Sequence, residues 1–139
     1  MTSVCIIHSI ACTNNYQTSW CSIQAIPGKK YYGRGWFQLS YPCNYFGAGQ
    51  SLGLDLLGNP DLVAQSDKIA ADTALWFYRA NGMNGPAQRG DFAATTRIIN
   101  GPQECNNGPN AANQRLRVER YQAMRQCFGL GQTTNNVWC

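Results

Sequence analysis

Between positions 66 and 82 the chain reads SDKIAADTALWFYRANG, and Ile69, Ala70, Thr73, Ala74 and Phe77 recur at three- and four-residue intervals. That spacing lays one apolar stripe along a helix, with Ser66 as its cap and Asn81-Gly82 as its stop. Just upstream, NPDLVAQ predicts a shorter helix with Asn59 as N-cap and Pro60 at the first helical position. NGMNGPAQRG then reads as loop, being rich in Gly, Asn and Pro. Asp91 is placed to cap a helix over FAATTRII, which Asn100-Gly101-Pro102 should stop. Asn110 opens a last helix, AANQRLRVERYQAMRQCFG, whose apolar face is Val118, Tyr121, Met124 and Phe128 and whose end is Gly129. The first thirty residues are rich in Cys, Ser and Asn and read as a stapled loop region. With few strand signals and no repeats, the pattern predicts a mainly α fold with long loops and disulfides.

Composition narrows the partners. The 139 residues fit one domain, and with 44% hydrophobic and 13% charged residues they are not compositionally disordered. The net charge of +4 comes from scattered cations, whereas a nucleic-acid binder gathers them on one face. Nucleic acid is therefore not expected, and an uncharged or weakly charged ligand fits better. Seven cysteines point to an oxidising compartment, and their odd number leaves at least one without an intramolecular partner. No CxxC occurs and His8 is the only histidine, so no metal site is expected. No segment approaches the roughly 18–20 apolar residues that cross a membrane. MTSVCIIHSIAC lacks the basic start and long apolar run of a signal peptide, so it reads as part of the fold or as an end created by truncation.

Residues 30–45, KYYGRGWFQLSYPCNY, concentrate the candidate chemistry. Tyr31, Tyr32, Trp36, Phe37, Tyr41 and Tyr45 could be core or a ligand platform. Gln38, Ser40 and Asn44 add amides and a hydroxyl beside the rings, a mixture suited to pyranose faces and N-acetyl groups. Gly33-Arg34-Gly35 is a tight turn rather than a phosphate loop, having neither the length nor the lysine of one. Ser40 and His8 carry no nucleophile-elbow signature. Of the carboxylates, Asp61, Asp67 and Asp91 sit at helix starts, where capping explains them. Glu119 reads as solvated. Glu104 is in an irregular segment beside a cysteine and could face inward, with a structural ion pair as the plainer reading.

Four segments in register, PGKKYYGRGWFQLSYPCNYFGAG, LGLDLLGNPDLV, TALWFY and IINGPQEC, resemble the second half of a family 19 glycoside hydrolase, a chitinase. The resemblance implies a lysozyme-like, mainly α fold that is incomplete here. It makes 27–139 the C-terminal portion of the catalytic domain and 1–26 a Cys-rich remnant of the missing half. It implies inverting hydrolysis of β-1,4-linked N-acetylglucosamine polymers by two glutamates, with no cofactor, in a secreted protein whose partner is chitin or a chitooligosaccharide. Residue by residue, Gln38 and Asn44 match sugar-binding cleft positions, Ser40 the serine that positions the attacking water, Tyr31 a cleft aromatic and Asn100 a substrate-contacting asparagine. Glu104 and Arg117, the latter in its RVERY context, match a pair that supports the general acid from behind. Cys105 and Cys139 match one disulfide, and Cys12 with Cys21 are expected to close a small loop before YYGRG. Cys43 stands where the family has a cleft tyrosine, with Cys127 as its candidate partner.

The departures shape the expected function. The family's general acid lies in a His-Glu motif, and this sequence contains none. Cys5 matches a cysteine that the general base should follow by four residues, and that place holds Ser9, beside His8. A serine hydroxyl cannot accept a proton from water at neutral pH as a carboxylate can. Cys5 itself would be orphaned, because its family partner lies in the missing half. Asp72 stands where plant members carry a lysine. The expectation is a chitinase-family chain lacking both catalytic glutamates and inactive alone, either an incomplete piece of an enzyme that is active in its full form or a half that needs a chain supplying the other. The alternatives are a non-catalytic chitin-binding protein that keeps the sugar cleft, and a remnant with neither activity.

Overall fold

The structure of the chain, a computed structural model, describes residues 15–139. The chain divides into two compact units, Met1–Ala80 and Asn81–Cys139. Among the described residues the elements are helices, and the only β pairing is an isolated antiparallel bridge between Arg34 and Leu39. The mainly α expectation is therefore met. No helix among the described residues is long and apolar enough to cross a membrane.

The first unit holds α1 (Pro42–Leu52), α2 (Leu62–Gln65) and α3 (Asp67–Ala80). The sequence pattern predicted no helix over α1. It forms because Pro42 occupies the first turn, where its missing N–H has no partner to lose. Tyr45, Ala48 and Gly49 then turn one buried face inward. Gly47 lets α3 approach closely: a Cβ there would lie 2.7 Å from the Trp76 ring. Tyr31, Leu39, Tyr45, Ala48, Leu56 and Val63 form the core, with Ile69, Trp76 and Phe77 packed against it from α3. The stripe read from the sequence is thus the inner face of α3, and Ala70, Thr73 and Ala74 are its buried members.

Two helix starts differ from expectation. α2 begins at Leu62, not Pro60, because the Leu62, Val63 and Ala64 amides bond three residues back in a tight turn over Asn59, Pro60 and Asp61. In the second unit, the segment read wholly as loop contains a short helix, α4 (Asn84–Gln88), over which Met83 is buried.

The second unit continues with α5 (Phe92–Glu104) and α6 (Ala111–Cys127). Asp91 caps α5 by accepting a hydrogen bond from the Ala94 amide at 2.9 Å. Asn100-Gly101-Pro102 kinks this helix rather than ending it: Asn100 leaves helical geometry (φ −157°, ψ 37°), and a further turn runs on to Glu104. Pro102 is tolerated because it lies in the first turn after the break. On α6 Val118 is buried, and Tyr121 stacks on Phe92 with ring centroids 4.2 Å apart. Met124 and Phe128, expected on the apolar face, are instead 53% and 74% exposed.

The disulfides correct the expected pairing. Cys21 bonds Cys43, with Cα atoms 5.6 Å apart, so the Cys12–Cys21 loop and the Cys43–Cys127 bond do not form. Cys21 is buried beside the start of α1, where the Cys43 amide also donates to its Sγ. Cys105 bonds Cys139 across 34 residues, and Cys127 is a free, exposed thiol. Cys5, His8, Ser9 and Cys12 lie outside the described residues.

Gly35 gives a test of the first unit's packing. It sits at φ +74°, and a Cβ would lie 2.9 Å from Val63 Cγ1 and 3.3 Å from the Ala70 backbone. Gly35→Ala is expected to cost about 2 kcal/mol, from left-handed strain plus overpacking. A shift in urea midpoint at unchanged m-value reads it, and an unshifted midpoint would show that the turn does not need glycine.

Candidate functional site

In the first unit the site is built on the turn from Gly33 to Ser40. The Arg34–Leu39 bridge closes it, with Leu39 N–H donating to Arg34 O at 2.8 Å, and the tip carries Trp36, Phe37 and Gln38 outward. Trp36 is 62% exposed, whereas Phe37 also meets the edge of Phe77 on α3. Gln38 takes positive φ and donates its side-chain amide to Gly35 O at 3.0 Å. Ser40 Oγ donates to Gln38 O at 2.9 Å, and Asn44 Nδ2 donates to Ser40 O at 2.8 Å. Gln38, Ser40 and Asn44 are thereby one hydrogen-bonded row, fixed by backbone carbonyls instead of by each other's side-chain oxygens.

Tyr41, between Ser40 and α1, holds an unusual backbone (φ 75°, ψ 140°). Its amide donates to Tyr31 O at 2.9 Å, and its ring meets the edges of Tyr16 and Trp20.

Beneath the row lies a residue that the sequence reading treated only as part of a turn. Arg34 is 3% exposed. Its guanidinium donates to Lys30 O (2.8 Å), Tyr45 OH (2.9 Å) and Asp61 Oδ1 (2.7 Å), and lies over the Tyr32 ring. Burial by itself would lower the guanidinium's proton affinity, but the Tyr45 hydrogen bond and the nearby Tyr45, Tyr32 and Asp61 groups raise it on balance, so it stays charged. Burial likewise pushes the Tyr45 phenol far up, against the pull of Arg34. The available signal was a long cation inside a Gly-x-Gly turn crowded by tyrosines.

Tyr31 is corrected. It was expected as a cleft aromatic, but it is fully buried, donating its hydroxyl to Leu57 O at 2.9 Å and accepting from Ile26 N–H at 3.2 Å. With Tyr45 against it edge-on, it belongs to the core and offers no face to a ligand.

In the second unit Glu104 is fully buried at the end of α5. Arg117 from α6 grips both its oxygens, at 2.7 and 3.0 Å, and Asn100 Nδ2 donates to Oε1 at 3.0 Å. Burial would raise this carboxyl's pKa, but the bonds from Arg117 and Asn100 and the charge of Arg117 outweigh it, and the net shift is downward. Glu104 is therefore a fixed anion at neutral pH, and the kink at Asn100 is what brings that amide onto it.

The other carboxylates have structural occupations or open exposure. Asp55 accepts from the Gly58 amide and Asn59, Asp61 pairs Arg34, Asp72 pairs Lys68 and Asp91 caps α5. Asp67 and Glu119 are exposed on α3 and α6. No cluster of His, Cys, Asp or Glu among the described residues could hold a metal ion.

A family model for glycoside hydrolase family 19, described as class I chitinase, matches residues 2–90. Chitinase 6 of Oryza sativa subsp. japonica is 43% identical over 118 residues, 85% of this chain and 42% of that protein. The acidic endochitinase of Dioscorea japonica is 41% identical over 131 residues, 91% of this chain and 50% of that protein. This chain thus spans half or less of these relatives. Among solved structures, the class IV family 19 chitinase from Zea mays superposes with a TM-score of 0.82 at 37% identity, covering 94% of this chain and 63% of that one. Chitinase C from Streptomyces griseus gives 0.69 at 40% identity, covering 78% and 45%.

Proposed function

This chain belongs to glycoside hydrolase family 19, with the lysozyme-like α fold of its chitinases, and from that premise we propose that the turn 33–44 is a binding surface for chitin and its oligosaccharides. The observation that supports this reading is the fixed row of Gln38, Ser40 and Asn44 beside the exposed Trp36 ring. Apolar ring faces and amides are what an N-acetylglucosamine unit needs, and neither calls for a charge. In the second unit, Glu104 holds Asn100 and Arg117 in fixed positions, as a support for substrate contacts.

We further propose that the 139 residues alone do not hydrolyse the bond. Inverting glycosidases pair a protonated acid with a base across the scissile linkage. Glu104 is held ionised by Arg117, Asp67 and Glu119 stand exposed on α3 and α6, and Asp55, Asp61, Asp72 and Asp91 are engaged as described. Loss of one acid or base costs about 10²–10⁴-fold, so two losses leave negligible turnover. Hydrolysis by a larger protein containing this chain would take both groups from residues beyond these. The disulfides fit an oxidising compartment, and we place the protein outside the cytosol.

Retention of the purified chain on colloidal chitin tests the binding reading. Gln38→Ala with Asn44→Ala should abolish most retention while the fold, followed by circular dichroism, persists. Unchanged retention would refute the row as the binding surface. Release of soluble chitooligosaccharides by the same preparation would refute the inactivity.

A further inference from the structure

The C-terminal tail carries a second feature that the turn 33–44 does not explain. Residues 130–139 fold back along α6 and are held at several points. Gln122 donates its amide to Thr133 O and accepts from Thr133 N–H, and Arg125 donates to Leu130 O and Gly131 O. Ala93 N–H donates to Asn136 O at 2.7 Å, and Asn106 N–H to Cys139 O at 2.8 Å. Val137 is buried and Cys139 is tied to Cys105. Between these anchored neighbours Trp138 remains 53% exposed. A flexible end would bury such a ring or let it move; here the backbone presents it from a fixed position.

Trp138 borders a groove of about 530 Å³ between α6 and the tail. Val118 and Val137 form its apolar floor, and Glu119, Gln126 and Thr134 stand around it. The volume suits a small ligand or a few linked rings. Arg115 and Glu119 both line the groove, one charge of each sign, so its lining carries no net charge. An aromatic face, an apolar floor and a rim of amides, hydroxyls and one charge of each sign match a neutral saccharide. We propose that this groove is a second carbohydrate-binding surface, taking N-acetylglucosamine units of the polymer against Trp138. The choice of sugar rests on the chitin reading above; the groove stands on its own geometry.

Its anchoring points, Gln122 and the Cys105–Cys139 bond, hold the tail rigid before any ligand arrives, which lowers the ordering cost of binding.

The test is amide and indole NMR of the ¹⁵N-labelled full chain titrated with tetra-N-acetylchitotetraose, and separately with cellotetraose. The acetylated sugar should move amides of residues 115–126 and 132–138 and the Trp138 indole, as a set distinct from residues 33–44. Trp138→Ala should weaken that set about tenfold in Kd and leave the 33–44 set unchanged; Gln126→Ala checks the rim without touching the ring. Stationary α6 and tail amides overturn this proposal even when 33–44 respond. So does a response that survives Trp138→Ala, and an equal response to cellotetraose overturns the choice of sugar. A response confined to α6 and the tail supports the groove and rejects the chitin row.

Discussion

Arg34→Ala is expected to destabilise the chain by about 4 kcal/mol, combining a cavity with buried polar groups left without partners. The guanidinium is nearly fully buried, and its removal strips donors from Lys30 O and Tyr45 OH at once. The ion pair with Asp61 is not the main part. Asp61 has 69% of its side chain exposed, so Asp61→Asn should cost no more than about 1 kcal/mol. Arg34→Lys keeps the charge but cannot reach all three partners from one nitrogen, and should fall between. Urea unfolding of the three variants decides the matter. If Asp61→Asn costs as much as Arg34→Ala, the assignment to Tyr45 and the backbone is wrong. Because the Arg34 side chain ties Lys30 and Tyr32, at the base of the turn, to Tyr45 on α1, chitin retention should fall in Arg34→Ala even where the protein remains folded.

Glu104→Ala should cost about 3 kcal/mol, the lower end for breaking a buried ion pair, since Arg117 is 37% exposed and can recover water. The pH dependence gives its signature. The folded carboxyl lies below its ordinary value of 4.5, so its contribution is fully present above that value and is lost as pH falls through the folded one. The stability gap between the native chain and Glu104→Gln should therefore be widest at neutral pH and narrow steadily in acid below about pH 4. Equal gaps at pH 7 and pH 3 would mean that the ionised carboxylate contributes nothing.

What could be read from the chain followed from local regularity. The stripe from Ile69 to Phe77 and the Asp91 cap announce their helices because a 3.6-residue period and a side-chain cap are properties of neighbouring residues. α1 escaped that reading: Pro42, Gly47 and Gly49 look like loop residues until Trp76 is packed over Gly47. Asn100-Gly101-Pro102 looks like a stop, yet Glu104 and Arg117 keep a further turn in place beyond it. Met124 and Phe128 fit an apolar face by spacing alone, but nothing in the described structure covers them.

The candidate site divides in the same way. Gln38, Ser40 and Asn44 could be named from composition and resemblance, since amides and hydroxyls among aromatic rings define a chemistry whatever their geometry. Glu104 with Arg117 could be named as a pair, but not its ionised state, which depends on Asn100 arriving through the kink. Burial reversed the role of Tyr31, which only the packing of Leu57, Ile26 and Tyr45 around it could decide. It also made Arg34 an anchor in place of a turn residue. The cysteines show the same limit: their number marks an oxidising setting, while the Cys21–Cys43 bond depends on two Cα atoms meeting at 5.6 Å. The sequence by itself determined the helical class, the family and the chemical types available. Tertiary structure alone decided which of those groups are buried, paired or presented, because burial and hydrogen bonding arise between segments far apart along the chain.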